Sequence, residues 1–200
     1  MQQSKAELRR RMRQLRRGLS AQERLQAARR LAEHMHRSPL FRQARRIGCF
    51  FSADGEIDTQ PLMQAAWQAG KSIYLPVLQP DGPVPLAFRL HQPDGPLQQN
   101  RYGIPEPAAG ELVSVHELDL VLLPLVAFDS GGNRLGMGGG YYDRTFAALD
   151  HQAAQRPPLL GLAYAFQRLP ALPVDPWDVP LTGVATEQGI QCFTRCDDKE

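Results

Sequence analysis

Six glycines fall within the ten residues 131–140. They stand between the most apolar stretch of the chain, Leu118-Asp119-Leu120-Val121-Leu122-Leu123-Pro124, and a helical pattern from about Gly140 to Leu149. So dense a run cannot extend a strand or helix, because glycine loses more conformational freedom on ordering than any other residue. It reads as a loop that needs positive φ or a close backbone approach. The apolar stretch lacks the alternation of a half-exposed strand. It therefore belongs at the centre of a sheet covered on both faces.

The flanking sequence supplies the rest of such a fold. Leu8, Met12 and Leu15 recur at i, i+4 and i+7, which predicts a helix over 4–18. Ser4 with Glu7 forms a capping-box pattern. Ser20 with Glu23 repeats it for a second helix, which runs to about His36 before Ser38-Pro39. Arg46-Ile47-Gly48-Cys49-Phe50-Phe51 reads as a buried strand. Asp58 or Thr59 then caps a helix through Leu62, Ala66 and Trp67 that Gly70 ends, and Ser72-Ile73-Tyr74-Leu75-Pro76 follows as a strand. A β-α-β unit of this kind pairs its strands in parallel. Residues 79–110, rich in Pro, Gly and Gln, read as a long irregular stretch with short strands, and 159–163 and 183–186 as the last strands. No repeat or linker interrupts the pattern. Residues 1–200 are thus expected to form one α/β domain with a mostly parallel sheet flanked by helices. Basic helices occupy 1–37, and a flexible tail is expected over 190–200.

Composition narrows the function classes. The chain is 42% hydrophobic and 22% charged, which suits a folded domain. No apolar run approaches the roughly 20 residues of a membrane helix. No apolar segment follows the basic N-terminus, so no secretory signal is expected. Cys49, Cys192 and Cys196 then read as reduced thiols of a cytoplasmic protein. The Cys192-x3-Cys196 pair has no companion pair for zinc, and His34 and His36, two apart on a helix, cannot share a face as ligands. Residues 1–30 hold ten Lys/Arg against two Glu, although the whole chain is only +2. A basic segment on an acidic body points to a polyanionic partner: a nucleotide, a nucleic acid or a phosphate group.

The glycine loop offers a place for such an anion. Consecutive glycines let backbone N–H groups turn inward, and Arg134 and Arg144 add charge-assisted donors. Two known phosphate patterns fail. Gly131-x4-Gly136 is followed by Met137 rather than Lys, and Gly136-x-Gly138 puts Tyr141 where a dinucleotide fingerprint needs its third glycine. From composition alone the loop is either a phosphate cradle of another type or a surface turn.

The order of residues is more specific. The run Pro124-Leu125-Val126-Ala127-Phe128-Asp129, followed by Gly132-Asn133-Arg134-Leu135-Gly136-Met137-Gly138-Gly139-Gly140-Tyr141-Tyr142-Asp143-Arg144, closely resembles the central motif of the 5-formyltetrahydrofolate cyclo-ligases (5,10-methenyltetrahydrofolate synthetases). Lys5-Ala6-Glu7-Leu8-Arg9 resembles that family's N-terminal motif. Phe51-Ser52-Ala53-Asp54-Gly55-Glu56-Ile57-Asp58-Thr59 and Trp177-Asp178-Val179-Pro180-Leu181 resemble two more of its segments. The four matches follow family order and span nearly the whole chain.

The resemblance implies a fold similar to the sugar-isomerase and CoA-transferase group. It also implies an ATP- and Mg²⁺-dependent ligase acting on 5-formyltetrahydrofolate as a monomer. By that likeness Lys5, Arg9 and the loop Arg134, Leu135, Gly136, Met137, Gly138, Gly139, Gly140, Tyr141 and Tyr142 hold ATP. Phe51, Glu56 and the loop from Met137 to Tyr141 meet the folate. Asp143 and Asp178 are the Mg²⁺ carboxylates, and Tyr141 and Arg134 act at the reacting groups. Tyr102 and Trp177 are candidates for the wall. Some family members carry Lys where this chain has Gly139, so one phosphate charge is met elsewhere or not at all. The other basic residues of the first helix, Arg10, Arg11, Arg13, Arg16 and Arg17, read as solubility or packing residues. Two rivals belong to other classes. One is a nucleic-acid-binding protein using the Arg-rich helix, which predicts steeply salt-dependent binding. The other is a relative acting as a phosphosugar isomerase or regulator, which would need no ATP.

Overall fold

In the computed structural model, the described residues are 3–79, 82, 84–147 and 156–193. Three helices open the chain: α1 (Lys5–Gly18), α2 (Ala21–Arg37) and α3 (Pro39–Gln43). Both expected capping boxes form, Ser4 with Glu7 and Ser20 with Glu23. Strand β1 (Arg46–Gly48) leads through α4 (Gln60–Gln68) to β2 (Ser72–Leu78). Thr59 is the N-cap of α4, but its hydroxyl donates to the Phe50 carbonyl at 2.6 Å. Asp58 instead accepts from Gln60 N–H at 3.0 Å. There follow β3 (Leu86–His91), β4 (Leu97–Gln99), β5 (Pro105–Pro107) and β6 (Leu112–Val113). Then come β7 (Leu120–Pro124), β8 (Ala127–Phe128), β9 (Arg134–Leu135) and α5 (Tyr141–Ala147). The chain closes with β10 (Leu159–Leu162), β11 (Gly183–Thr186) and β12 (Gly189–Cys192). The expected end of the α5 pattern, 148–149, lies outside the described residues.

Eight strands form one sheet in the order β12-β11-β10-β7-β1-β2-β3-β6. The five from β11 to β2 are parallel, and antiparallel strands flank them. Strand β7 is internal, and its apolar run is shared between the two faces. Leu120 and Leu122 pack with Leu31 and Met35 of α2 and Leu62 and Met63 of α4. Val121 and Leu123 pack on the other face with Phe88, Phe128 and Phe146. A third cluster sets Leu8 and Met12 of α1 against Val126, Ala127, Leu135 and Leu172. Leu15, the third member of the α1 stripe, is exposed. Among the described residues no helix is long and apolar enough to cross a membrane.

Four local expectations need correction. Strand β1 stops at Gly48, and Phe50 and Phe51 line a cavity beyond its end. The stretch 79–110 contains the six-residue β3, whose Leu86, Phe88 and His91 are buried and which pairs antiparallel with β2. Its alternation is masked by the Pro- and Gly-rich residues around it. Residues 189–192 form β12, bonded to β11, and Phe193 N–H donates to the Thr182 carbonyl at 2.8 Å, so 190–193 are no tail; the rest of the expected tail, 194–200, lies outside the described residues. Cys192, exposed in that edge strand, is disulfide-bonded; the reduced-thiol reading holds for the buried Cys49.

Packing leaves little room at Gly161 in β10. A Cβ there would lie 2.5 Å from Leu125 Cδ2 and 2.9 Å from Leu181 Cδ1. Both leucines are buried. Gly161→Val is expected to lower stability by about 1–3 kcal/mol through overpacking. A urea titration checks this, and an unchanged midpoint would show slack in this part of the core.

Candidate active site

A cavity of about 860 Å³ opens at the carboxyl ends of the parallel strands. Phe50 and Phe51 follow β1, Pro76 and Leu78 belong to β2, and Pro124 ends β7; all five line it. Ligand sites of open α/β sheets lie at this end because the connecting loops converge there.

The glycine run divides into two halves with different tasks. Strands β8 and β9 form a hairpin inside it, which the composition conceals. Asp129 closes the hairpin turn. Its Oδ1 accepts from Gly131 N–H at 2.9 Å and Asn133 N–H at 3.1 Å, and its Oδ2 accepts from Leu172 N–H at 3.0 Å. Gly132 stands at φ +80°, where a Cβ would be 3.0 Å from the Leu181 carbonyl oxygen. Gly131 and Gly132 thus serve the turn. Gly136, Gly138, Gly139 and Gly140, together with Leu135, Met137, Tyr141 and Tyr142, line the cavity. Gly138 stands at φ +104°, and a Cβ there would lie 3.5 Å from the Arg9 guanidinium carbon.

Helix α1 supplies the cationic wall. Lys5 and Arg9 both line the cavity. Arg9 Nε donates to the Gly136 carbonyl at 2.8 Å, which leaves its terminal nitrogens without a hydrogen bond among the described residues. Lys5 Nζ donates to Asp175 Oδ2 at 2.7 Å and Asp178 Oδ2 at 2.8 Å. Burial alone would lower the Lys5 ammonium, but its two carboxylate bonds outweigh that and hold it above the usual lysine value. Arg134 is buried, and its guanidinium donates to the Val179 carbonyl and to Asp143 Oδ1. Asp143 Oδ1 also accepts from Val179 N–H at 3.2 Å. Arg134 therefore clips β9, α5 and the 178–179 segment together.

A Mg²⁺ ion is the group this family resemblance implies here, and the donor set can be tested for it. Among the described residues no three His, Cys, Asp or Glu side chains gather as a metal cage. Asp143 Oδ2 and Asp178 Oδ1 accept no hydrogen bond among those residues, and both side chains line the cavity. Two hard oxygen donors without a full cage fit an ion that keeps its waters and binds together with phosphate oxygens.

At the other end, Phe51 stands edge-on to His91, ring centroids 5.4 Å apart. Glu56 is nearly buried, accepts from Ala53 N–H at 3.0 Å and lies 3.7 Å from Arg16 Nη1. Burial pushes its carboxyl up to about 7, against the pull of the Ala53 N–H and of Arg16. Above the cleft, the Tyr141 hydroxyl meets the Tyr102 hydroxyl and the Arg101 guanidinium, and Arg144 lies over the Tyr141 ring at 5.3 Å. Hydrogen bonds from Tyr102 and Arg101 hold the Tyr141 hydroxyl below its usual value. Burial raises that of Tyr142. Tyr102 and Trp177 form an exposed rim of the cavity.

The cleft thus gathers every residue expected to bind ligand, from Lys5 to Asp178. Asp54 and Asp175, which the sequence reading passed over, also line it, and behind them the fold engages basic residues of α1. Arg16 is fully buried, and Arg13 and Arg17 both pair with Asp54. Their i, i+3, i+4 spacing was legible, but the partner lies some forty residues away. Asp175 repeats the carboxylate of Asp178 three residues earlier. Most of the basic N-terminal segment is engaged internally: Lys5, Arg9, Arg13, Arg16, Arg17 and Arg24 all bond to the body of the domain or to α1 itself. That removes the main support for the nucleic-acid reading.

A cleft at this end of the sheet, with charged and aromatic side chains converging on it, defines an α/β protein that binds small ligands. Comparison with known proteins sharpens this. A model described as the 5-formyltetrahydrofolate cyclo-ligase family matches residues 1–187. A 5-formyltetrahydrofolate cyclo-ligase of Haemophilus influenzae is 41% identical over 90% of this chain and 95% of its own length. One from Escherichia coli K12 is also 41% identical, over 90% of this chain and 98% of its own. The NMR structure of Aquifex aeolicus 5,10-methenyltetrahydrofolate synthetase superposes with a TM-score of 0.78 at 32% identity, covering 98% of this chain and 96% of that one. A Mycoplasma pneumoniae 5,10-methenyltetrahydrofolate synthetase shares the fold, with a TM-score of 0.73 at 22% identity over 92% of this chain and 99% of that one. The chain belongs to the 5-formyltetrahydrofolate cyclo-ligase family, a family of ligases.

Burial of Glu56 makes a stability prediction. Its folded value, about 7, lies above the ordinary 4.5. The protonated form is therefore favoured by the fold; this stability is present in full below 4.5 and is lost as pH rises through about 7. The difference is worth about 3 kcal/mol. Glu56→Gln is neutral at every pH. It is expected to melt a few degrees above the parent at about pH 8 and close to it at about pH 5. A variant that melts below the parent at both would refute a burial cost at this position.

Proposed function

We propose that this cleft catalyses the ATP-dependent cyclisation of 5-formyltetrahydrofolate to 5,10-methenyltetrahydrofolate, with release of ADP and phosphate. The observation that carries the proposal is the continuity of one cavity. It runs from Lys5, Arg9 and the Gly136–Gly140 backbone to Phe51 and the buried carboxyl of Glu56. A triphosphate and a pterin can thus meet within a single chain.

The chemistry explains the need for both. A formyl amide carbon is a poor electrophile, and its oxygen is a poor leaving group. Transfer of the γ-phosphoryl group to the formyl oxygen remedies both: the oxygen–phosphorus bond forms as ADP departs. N10 then attacks the formyl carbon, phosphate leaves with the oxygen, and the N10 proton is lost. The protein's work is positioning and neutralising charge.

In this reading the terminal nitrogens of Arg9, the free N–H of Lys5 and the loop amides hold phosphate oxygens. Tyr141, with Arg101 and Tyr102 at its hydroxyl, stands at the meeting point of the two substrates. Arg134 acts there through the loop it fixes. Asp143 and Asp178 would hold a Mg²⁺ ion, which when bound neutralises phosphate charge. Glu56 accepts from pterin N–H groups, and Phe51 covers a ring face. Tyr142, beside Phe146 at 5.9 Å between ring centroids, completes the nucleotide side of the loop. The complete site in one chain suits a monomer, and nucleotide and folate substrates suit a cytoplasmic location.

The direct test mixes the protein with MgATP and 5-formyltetrahydrofolate and follows the methenyl chromophore. ATP-dependent absorbance growth is expected, and its absence rejects the reading. Gly138→Val tests the cradle. The branched side chain is strained at φ +104° and faces Arg9. It should cut turnover by about 10²-fold or more, with a far-ultraviolet spectrum like the parent's. Unchanged turnover would remove the cradle from the mechanism.

A further inference from the structure

Arg16 lies outside the cavity lining, yet its side chain has no solvent exposure. A guanidinium is rarely left in such a place unless its charge is answered. Here Nη2 lies 3.3 Å from Asp54 Oδ2, Nη1 donates to the Leu125 carbonyl at 3.3 Å, and Nε has no hydrogen-bond partner. Nη1 also lies 3.7 Å from Glu56 Oε1, too far for a hydrogen bond but within ion-pair range. Asp54 is itself held by Arg13 and Arg17 and stands at φ +50°, unusual for a residue with a side chain. Gly55 follows at φ +74°, where a Cβ would lie 3.4 Å from the Arg16 backbone. The segment that carries Glu56 is therefore moulded onto α1 at this one arginine.

We propose that Arg16 is a positioning residue for the folate reaction: held by Asp54 and the Leu125 carbonyl, its buried guanidinium orients the Glu56 carboxylate into the cavity. The inference rests on the reading of Glu56 as the pterin acceptor. The groups facing Glu56 are Arg16 from α1, Asp54 from its own segment and the Tyr142 hydroxyl from α5. The Tyr164 hydroxyl donates to the Glu56 main-chain carbonyl at 3.5 Å. Arg16 is the cation among them. It opposes the effects of burial and of Asp54, both of which favour the protonated acid.

The test compares the full-length parent with Arg16→Met, Arg16→Lys and Asp54→Asn. Folate and ATP kinetics are measured across about pH 5 to 9. In the parent, kcat/KM for the folate should fall on the acid side with a midpoint near 7, where Glu56 takes its proton. Arg16→Met should move that midpoint up by about one unit and raise the folate KM at neutral pH about fivefold, with the ATP KM unchanged. Arg16→Lys should restore part of both. Asp54→Asn should move the midpoint down, because a like charge is gone; asparagine tolerates the left-handed backbone. A purely structural role would raise both KM values together and leave the midpoint in place, and that result overturns the proposal. If Arg16→Met does not fold, an unmoved midpoint in Asp54→Asn overturns it instead. A parent with no cyclisation would sink the functional reading first. The carboxyl carbon shift of Glu56 in glutamate-labelled protein then still decides whether Arg16 controls its ionisation.

Discussion

Both ends of the cleft hang from one helix. Helix α1 docks on the rest of the domain through Leu8 and Met12, which pack against Val126, Ala127 and Leu135 of the glycine hairpin. That apolar contact is small. It nevertheless fixes where Lys5 and Arg9 stand beside the loop and where Arg16 meets Asp54 and Glu56. Eleven residues separate Lys5 from Arg16, about 16 Å along a helix axis. A rigid rod of that length sets the distance between the cationic wall and the buried carboxyl. Displacing α1 would spoil both ends together, although the sheet beneath would keep its own core.

The charges around the cleft are balanced against one another within the protein. Lys5 bridges Asp175 and Asp178, Arg134 answers Asp143, and three arginines converge on Asp54. In the reading proposed above, a phosphate chain would meet Lys5 already paired and Arg9 with its terminal nitrogens unengaged among the described residues, and a divalent ion would meet aspartates each paired through one oxygen. At Lys5 and its two aspartates, an anion and a cation arriving together would exchange partners with little net loss of Coulomb energy. The internal pairing also explains how a region of strong local charge avoids the self-repulsion of an unpaired cluster.

What the sequence discloses follows from the range of the interactions. Capping boxes are decided by residues three apart, and both were legible in Ser4–Glu7 and Ser20–Glu23. The buried run of β7 was legible because covering both faces removes polar alternation. The β8–β9 hairpin was hidden because its turn depends on the Asp129 side chain bonding Gly131 and Asn133, while glycine content alone spoke for one continuous loop. Arg16 was beyond reach for a different reason. Nothing in its helical neighbourhood distinguishes it from Arg10 or Arg11. Only the fold brings Asp54 and Glu56 to it while leaving the others outward. The residues of the ordered motifs do line the cleft, whereas those whose place depends on distant partners gave no local signal.

The glycine loop illustrates how the two kinds of information join. Its fourth to sixth glycines keep backbone next to the cavity free of side chains, and two of them require positive φ. Their freedom would be a liability if the loop could wander. It is held at one end by Arg134, which ties β9 to Val179 and Asp143, and in the middle by Arg9, which binds the Gly136 carbonyl. Tyr141 is held from above by Tyr102 and Arg101. Arginines from three separate segments thus confine a stretch that sequence alone marks as loose. In the proposed reading, a loop so confined would meet an incoming phosphate with little ordering left to do, which is the condition for backbone amides to stabilise charge as it develops in a transition state.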